Sequence, residues 1–151
     1  MPKTAEKDIT CYKVLVRVDY EDHTEYRSPI YDYLWEIGKM HSEIGVHKDI
    51  RRNPWWSTFR KGLPILYING GFFHAYNTDC HARKNGLFFD APYDQLQNLV
   101  RYYPSCKTLT FVIATCTVPK GTIFFSNDEE IVAENLRVDS IEDTKYSMNN
   151  D

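Results

Sequence analysis

The chain has 151 residues, 42% of them hydrophobic and 15% aromatic, and its 18 Lys and Arg against 21 Asp and Glu leave a formal charge of −3. This is material for one domain whose core can bury roughly 70% of the unfolded surface, and it excludes wholesale disorder. The longest apolar stretch, within Phe111 to Val118, falls far short of the roughly 20 residues of a membrane helix, and Met1 to Asp8 is polar and charged, so a cytoplasmic protein with no membrane partner is expected.

Cys11 to Val18 alternates, with Tyr12, Val14, Val16 and Val18 on one face and Lys13 and Arg17 on the other, the pattern of a half-buried strand. The polar run Asp19 to Glu25 turns the chain, Tyr26 to Ser28 returns as a hairpin partner, and Pro29 ends the ladder because it has no N–H to donate. Tyr31 to Met40 gathers Tyr31, Tyr33 and Trp35 ahead of Gly38 and suits either a short strand or a single helical turn. Between His41 and Leu63 apolar periodicity fades while Arg51, Arg52, Trp55, Trp56, Phe59 and Arg60 accumulate. A long irregular connection is uncommon in a compact domain and directs attention to function. Leu66 to Ile68 and Phe72 to Tyr76 read as strands around Asn69, Gly70 and Gly71, and Asp79 to Lys84 as a short helix.

A clear helix signal follows. Asp90 is placed to cap it, Pro92 suits its first turn, Leu96, Leu99, Val100 and Tyr103 mark one face, and Pro104 stops it. Thr108 to Val118 is apolar on both faces, as a central strand must be. Pro119 to Gly121 turns into Thr122 to Phe125, and Asn127 to Glu130 into Ile131 to Ala133. Leu136 to Ile141 is the last expected strand, and the polar remainder from Glu142 to Asp151 is expected to fray. The sum is a single α+β domain over 1–151, mostly antiparallel sheet with one or two short helices and an ordered core over about 9–141.

Chemistry is less legible. Cys11, Cys80, Cys106 and Cys116 lack disulfide spacing and are expected to be free thiols. His74, Cys80 and His81 lack the spacing that aims two ligands at one ion, so no metal is expected. His23, His41 and His47 read as solvated surface residues. There is no G-x-S-x-G elbow and no phosphate-cradling P-loop. The charge divides unevenly, with a local +4 from Lys39 to Lys61 and −6 from Asp128 to Asp151. Such patches steer partners or simply lie against each other in the fold. In the basic segment, Arg51 and Arg52 with Trp55 and Trp56 suit core packing, a protein or small-molecule contact, or, less readily in an acidic chain, nucleic acid.

The runs Tyr26-Arg-Ser-Pro-Ile-Tyr31, Trp35-Glu-Ile-Gly-Lys39, Gly71-Phe-Phe-His-Ala-Tyr76 and Cys116-Thr-Val-Pro-Lys-Gly121, with Ile131-Val-Ala133, resemble a group of small uncharacterised proteins of phages and large DNA viruses. That resemblance implies a viral accessory role inside a host cell. A fainter one is to the ADP-ribosyltransferase fold, in which a glycine-aromatic strand like Gly71 to Ala75 precedes a short helix. It implies Glu130 or Glu134 as the catalytic acid, Tyr12 or Arg17 as the first-strand residue, and NAD as the consumed cofactor. Two functions are therefore expected. One is a binding protein that contacts a host macromolecule or nucleotide-like ligand through exposed aromatics and needs no cofactor; the other is an NAD-consuming transferase. Trp35, Glu36, His74 and Tyr76 are the preferred site under either, against the plainer reading that Trp35 and Tyr76 are core and Glu36 pairs with a nearby lysine.

Overall fold

The structure, a computed structural model, describes residues 3–29, 32–42, 59–60, 63–64, 72–87 and 91–150. In chain order the strands are β1 (Lys3–Thr4), β2 (Ile9–Asp19), β3 (Thr24–Arg27), β4 (Leu34–Trp35), β5 (Met40–Ser42), β6 (Phe59–Arg60), β7 (Leu63–Pro64), β8 (Phe73–Tyr76), β9 (Thr108–Val118), β10 (Ile123–Ser126), β11 (Glu130–Ala133) and β12 (Asn135–Asn149). Helix α1 (Asp79–His81) runs on as a π-helical turn over Ala82–Gly86, and α2 (Pro92–Leu99) tightens into a 3₁₀ turn over Val100–Tyr102. The main sheet runs β1-β10-β11-β8-β2-β9-β12-β5, every pairing antiparallel, with β3 beside β2 and β4 beside β3. Strands dominate and the helices are short, as the periodicity implies.

The sheet curls. His41 on β5 and Phe73 on β8 stand four strand spacings apart along the ladder, about 19 Å on a flat sheet, yet their ring centroids are 6.5 Å apart. Inside the curl lie Cys11, Leu15, Phe73, Ala75, Val112, Ala114, Cys116, Ile131, Ala133, Leu136 and Val138. Tyr33, Trp35 and His41, carried on the arm from β3 through β4 to β5, close over this core with centroid separations of 4.6 to 5.5 Å. The β4 to β5 turn needs Gly38, whose φ of 82° lies in the left-handed region that side chains with a Cβ disfavour. The outer face carries Val14, Val16, Val18, Leu109, Phe111 and Ile113, covered by Leu96, Leu99 and Tyr103 of the α2 segment.

β9 sits between β2 and β12, and its two faces are buried in the inner and outer cores. β2 is likewise buried on both sides. Its Lys13 face, expected to meet solvent, carries Cys11 and Leu15 into the interior. The segment 31–40 resolves, where described, into β4 and the turn to β5.

The expected fray beyond Ile141 is a correction. β12 continues to Asn149 along β9, with register shifts between Val138 and Ser140 and between Asp143 and Ser147. The extra residue at the first shift exchanges the two faces of the strand. Leu136 and Val138 therefore point into the curl, whereas Tyr146 and Met148 pack against the outer core. Thr144 Oγ1 donates to the Phe111 carbonyl at 2.7 Å, and the Asn150 amide donates to the Lys107 carbonyl at 2.9 Å.

The helix over 92–103 is present, with Ala91 at its N-cap position and no side-chain cap bond there. Asp90, Tyr31, His47, the strand expected over Leu66 to Ile68, and Asn69 to Gly71 lie outside the described residues.

Candidate functional site

Strand parity sets the geography of the candidate residues. Phe73 and Ala75 point into the curl, so His74 and Tyr76 point out, and Tyr12 stands opposite Tyr76 on β2. On β11, Ile131 and Ala133 point in, which turns Glu130 outward beside β8. His74 Nε2 and Glu130 Oε1 are 3.2 Å apart, both side chains partly buried, and the His74 and Tyr76 rings meet edge to face with centroids 4.8 Å apart.

The surrounding loops fix this arrangement. Asn127 Oδ1 accepts from the backbone N–H groups of Glu129 and Glu130 at 3.0 and 2.7 Å. The Asn77 amide donates to the Glu129 carbonyl at 2.8 Å, and its side-chain nitrogen donates to the Asn127 carbonyl at 2.7 Å. Thr78 Oγ1 accepts from the His81 N–H and so starts α1. The π-helical turn then brings Gly86 against Tyr76 and Val14. His81 Nε2 lies 3.8 Å from a Glu129 carboxylate oxygen, and the Asn85 side chain reaches the other at 3.5 Å. The result is a polar, partly buried cluster at one end of the outer face, built from β2, β8, β11 and α1. Among the described residues no three His, Cys, Asp or Glu side chains gather as a metal site.

Trp35 and Glu36 do not belong to it. Trp35 is 2% exposed and packs on Phe73 inside the curl, with its indole N–H donating to Ser28 Oγ at 2.9 Å. Glu36 is exposed and pairs with Lys39 at 3.3 Å. The expected four-residue site therefore splits: His74 and Tyr76 lie on the outer face, and Trp35 lies inside. An exposed aromatic at Trp35 is corrected by its burial, and a tryptophan so enclosed is core. Of the two glutamates, Glu130 meets His74, whereas Glu134 is 3% exposed and follows the end of β11, its N–H donating to the Ile123 carbonyl. Arg17 is held by Asp19 and Asp143. Arg51, Arg52, Trp55 and Trp56 lie outside the described residues.

His41, expected at the surface, is a second correction: it is 7% exposed. Its Nε2 accepts from the Glu36 N–H at 3.2 Å, and its Nδ1 lies 2.8 Å from Tyr33 Oη. Burial pushes its pKa below the ordinary value, so the ring is neutral at pH 7. His23 does lie at the surface, stacked on Tyr20 and paired with Asp22 at 2.7 Å, a bond that raises its pKa. Part of the acidic C-terminal charge is neutralised locally, Glu142 by Arg83 at 2.8 Å and Asp143 by Arg17.

All four cysteines are free thiols, and Cys11 faces Cys116 directly across β2 and β9. Burial drives both thiols upward, that of Cys116 to about 12, which makes them poor nucleophiles at neutral pH.

No protein-family model matches the chain, and neither a curated protein nor a solved structure shows significant similarity to it. Among the described residues no helix is long and apolar enough to cross a membrane.

Proposed function

We propose that the protein is a small accessory binding protein, of the kind its phage and viral resemblance implies, and that it takes a nucleotide-like ligand at Tyr12, His74, Tyr76 and Glu130. One observation carries the reading: the His74–Glu130 pair and two tyrosines converge on one face of the sheet beside a helical turn. Aromatic faces for a base, a carboxylate to accept from ribose hydroxyls, and an imidazole able to donate or accept form the mixture of apolar wall and few polar groups that small-molecule sites use. The tryptophan expected to supply the stacking face, Trp35, is spent on the interior, so the tyrosines take that role.

Equilibrium dialysis against ATP, NAD and AMP tests it. Glu130→Gln, with the melting temperature held, and Tyr76→Ala, which also removes packing against the outer core, are each expected to weaken the bound nucleotide at least about tenfold, equivalent to about 1.4 kcal/mol. Binding that survives both substitutions, or no binding to any of the three, refutes the assignment.

The ADP-ribosyltransferase-like reading is favoured by one further observation: of the two candidate acids, Glu130 shares the outer face with His74 and with the candidate first-strand residue Tyr12. In that case a bound NAD loses nicotinamide, and Glu130 steadies the ribose as positive charge develops at its anomeric carbon. Release of nicotinamide that disappears in Glu130→Gln supports it. Binding of NAD without release across a panel of protein and nucleic-acid acceptors leaves the binding function alone.

A further inference from the structure

The N-terminal segment builds a groove on elements that the outer-face cluster does not use. β1 adds to the edge of β10, with Lys3 opposite Phe124 and Thr4 opposite Ile123. Ala5 prolongs the pairing: its N–H donates to the Thr122 carbonyl and its carbonyl accepts from the Gly121 N–H, both at 2.8 Å. The chain then leaves the edge at Glu6 and enters β2 at Ile9, just after Asp8 Oδ1 accepts from the Lys120 N–H at 2.8 Å. The segment from Ala5 to Asp8 therefore bridges β10 and β2, which stand three places apart in the sheet, and is fastened at both ends.

Against this bridge lies a groove of about 610 Å³, open to solvent. Small-molecule sites occupy about 300–1,000 Å³. Its lining divides into floor and rim. Ala5 and Phe124 are buried members of the inner core and Ile9 packs against that core, so the floor is apolar. Lys3, Glu6 and Lys7 are exposed and form the rim. Among the described residues none of these three has an ion-pair partner, in contrast to Arg17, Arg27, Lys39, Arg83 and Arg137. The rim thus carries two ammonium groups and one carboxylate, one net positive charge beside an apolar floor.

We infer that this groove binds a medium-chain fatty acid as its anion, with the carboxylate held between Lys3 and Lys7 and the alkyl chain laid on Ala5, Ile9 and Phe124. The rim selects the head. A single surplus positive charge matches one carboxylate, whereas Glu6 opposes the several charges of a polyphosphate. The floor selects the tail, because apolar surface continuous with the core is covered best by methylenes. The recess selects the source. The floor lies behind charged and polar side chains, so a free single-chain acid reaches it and the surface of a bilayer does not. The backbone bonds of Ala5 and Asp8 form the groove before the ligand arrives, which keeps the ordering cost of binding small.

Decanoate, kept below the concentration at which it forms micelles, is titrated into the full chain and followed by calorimetry and by amide-resolved NMR. One equivalent is expected to bind, several-fold more tightly than hexanoate because the longer chain covers more of the floor, with the largest amide shifts at Ala5, Ile9 and Phe124. Decyltrimethylammonium, which has the same chain and the opposite charge, should bind at least tenfold more weakly. Lys3→Glu combined with Lys7→Glu reverses the rim and should weaken decanoate at least tenfold. The inference is overturned by any of three results: no saturable binding of decanoate, a cation bound as tightly as the anion, or shifts centred away from the groove. Co-sedimentation with phosphatidylglycerol vesicles that is lost in the same double variant would assign the rim to a membrane surface and overturns it equally. The shift map of the unmutated chain decides the matter even if the variant fails to fold.

Discussion

Gly86→Ala tests whether the π-helical turn is what locks the outer-face cluster in place. The backbone of Gly86 lies outside the left-handed region, so conformation is no obstacle to alanine. Space is the obstacle: a Cβ there would stand 2.5 Å from Val14 Cγ2, 3.1 Å from Tyr76 Cε2 and 3.3 Å from Val14 Cβ. Favourable carbon contacts begin at about 3.5 Å, so the nearest approach is about 1 Å too close. Val14 is fixed within β2 and buried, which leaves Tyr76 or the turn itself to move. Overpacking of this kind costs about 1–3 kcal/mol, against a gain of up to about 1 kcal/mol for alanine over glycine in a helical conformation. A net loss of about 1–2 kcal/mol corresponds to a fall of about 2–8 °C in melting temperature for a domain of this size. Thermal unfolding by circular dichroism reads it, and nucleotide dialysis on the same variant reads the displacement of Tyr76. Adding Val14→Ala should return part of the loss, since the double variant removes the nearest contact and the two sites are coupled. An unchanged or raised melting temperature, or strictly additive effects, would show that the turn does not press on the cluster.

Three further outcomes follow from burial and pairing. Because the folded-state pKa of His41 is depressed, its contribution to stability is fully present above the ordinary value of about 6.5 and is lost as pH falls through the folded value; melting curves from pH 8 to 5 should fall more steeply for the unmutated chain than for His41→Gln, and equal slopes would refute this. The physical reason is burial, which penalises the charged ring. Trp35→Ala should cost about 3–5 kcal/mol as a core truncation, whereas a melting temperature unchanged to within 2 °C would mean that the indole does not pack as the aromatic contacts place it. Ending the chain after Ile141 should lower the melting temperature by more than 10 °C or abolish soluble expression, because β9 loses the ladder from Glu142 to Asn149; a shift of a degree or two would return that segment to a dispensable tail.

Within the candidate site, legibility followed the range of the interaction. That His74 and Tyr76 share a face is a matter of strand period, visible in Phe72 to Tyr76 itself. That Glu130 rather than Glu134 meets His74 depends on the β8–β11 register, which pairs residues more than fifty positions apart. Trp35 misled because its neighbours Leu34, Glu36 and Ile37 are all exposed, and the alternation of Tyr33 and Trp35 that turns both inward spans too few residues to stand out. Lys13 misled in the opposite sense. The alternate positions Cys11 and Leu15 on its own face are apolar, which signals a strand buried on both sides, but the charge at Lys13 and Arg17 masked it.

The amino-acid order by itself determined the secondary structure where one period dominates: the two-faced apolar run of β9, the amphipathic stripe of Leu96, Leu99 and Tyr103, and the breaks at Pro29 and Pro104. These are short-range effects of side-chain direction and backbone chemistry, acting over a few residues. Tertiary structure alone decided the curl that brings His41 to Phe73, the bulge that turns Tyr146 and Met148 to the outer core, and the separation of Trp35 from His74 onto opposite faces. Each depends on which strand lies beside which and in what register. A one-residue shift there exchanges inside for outside while leaving every local propensity unchanged.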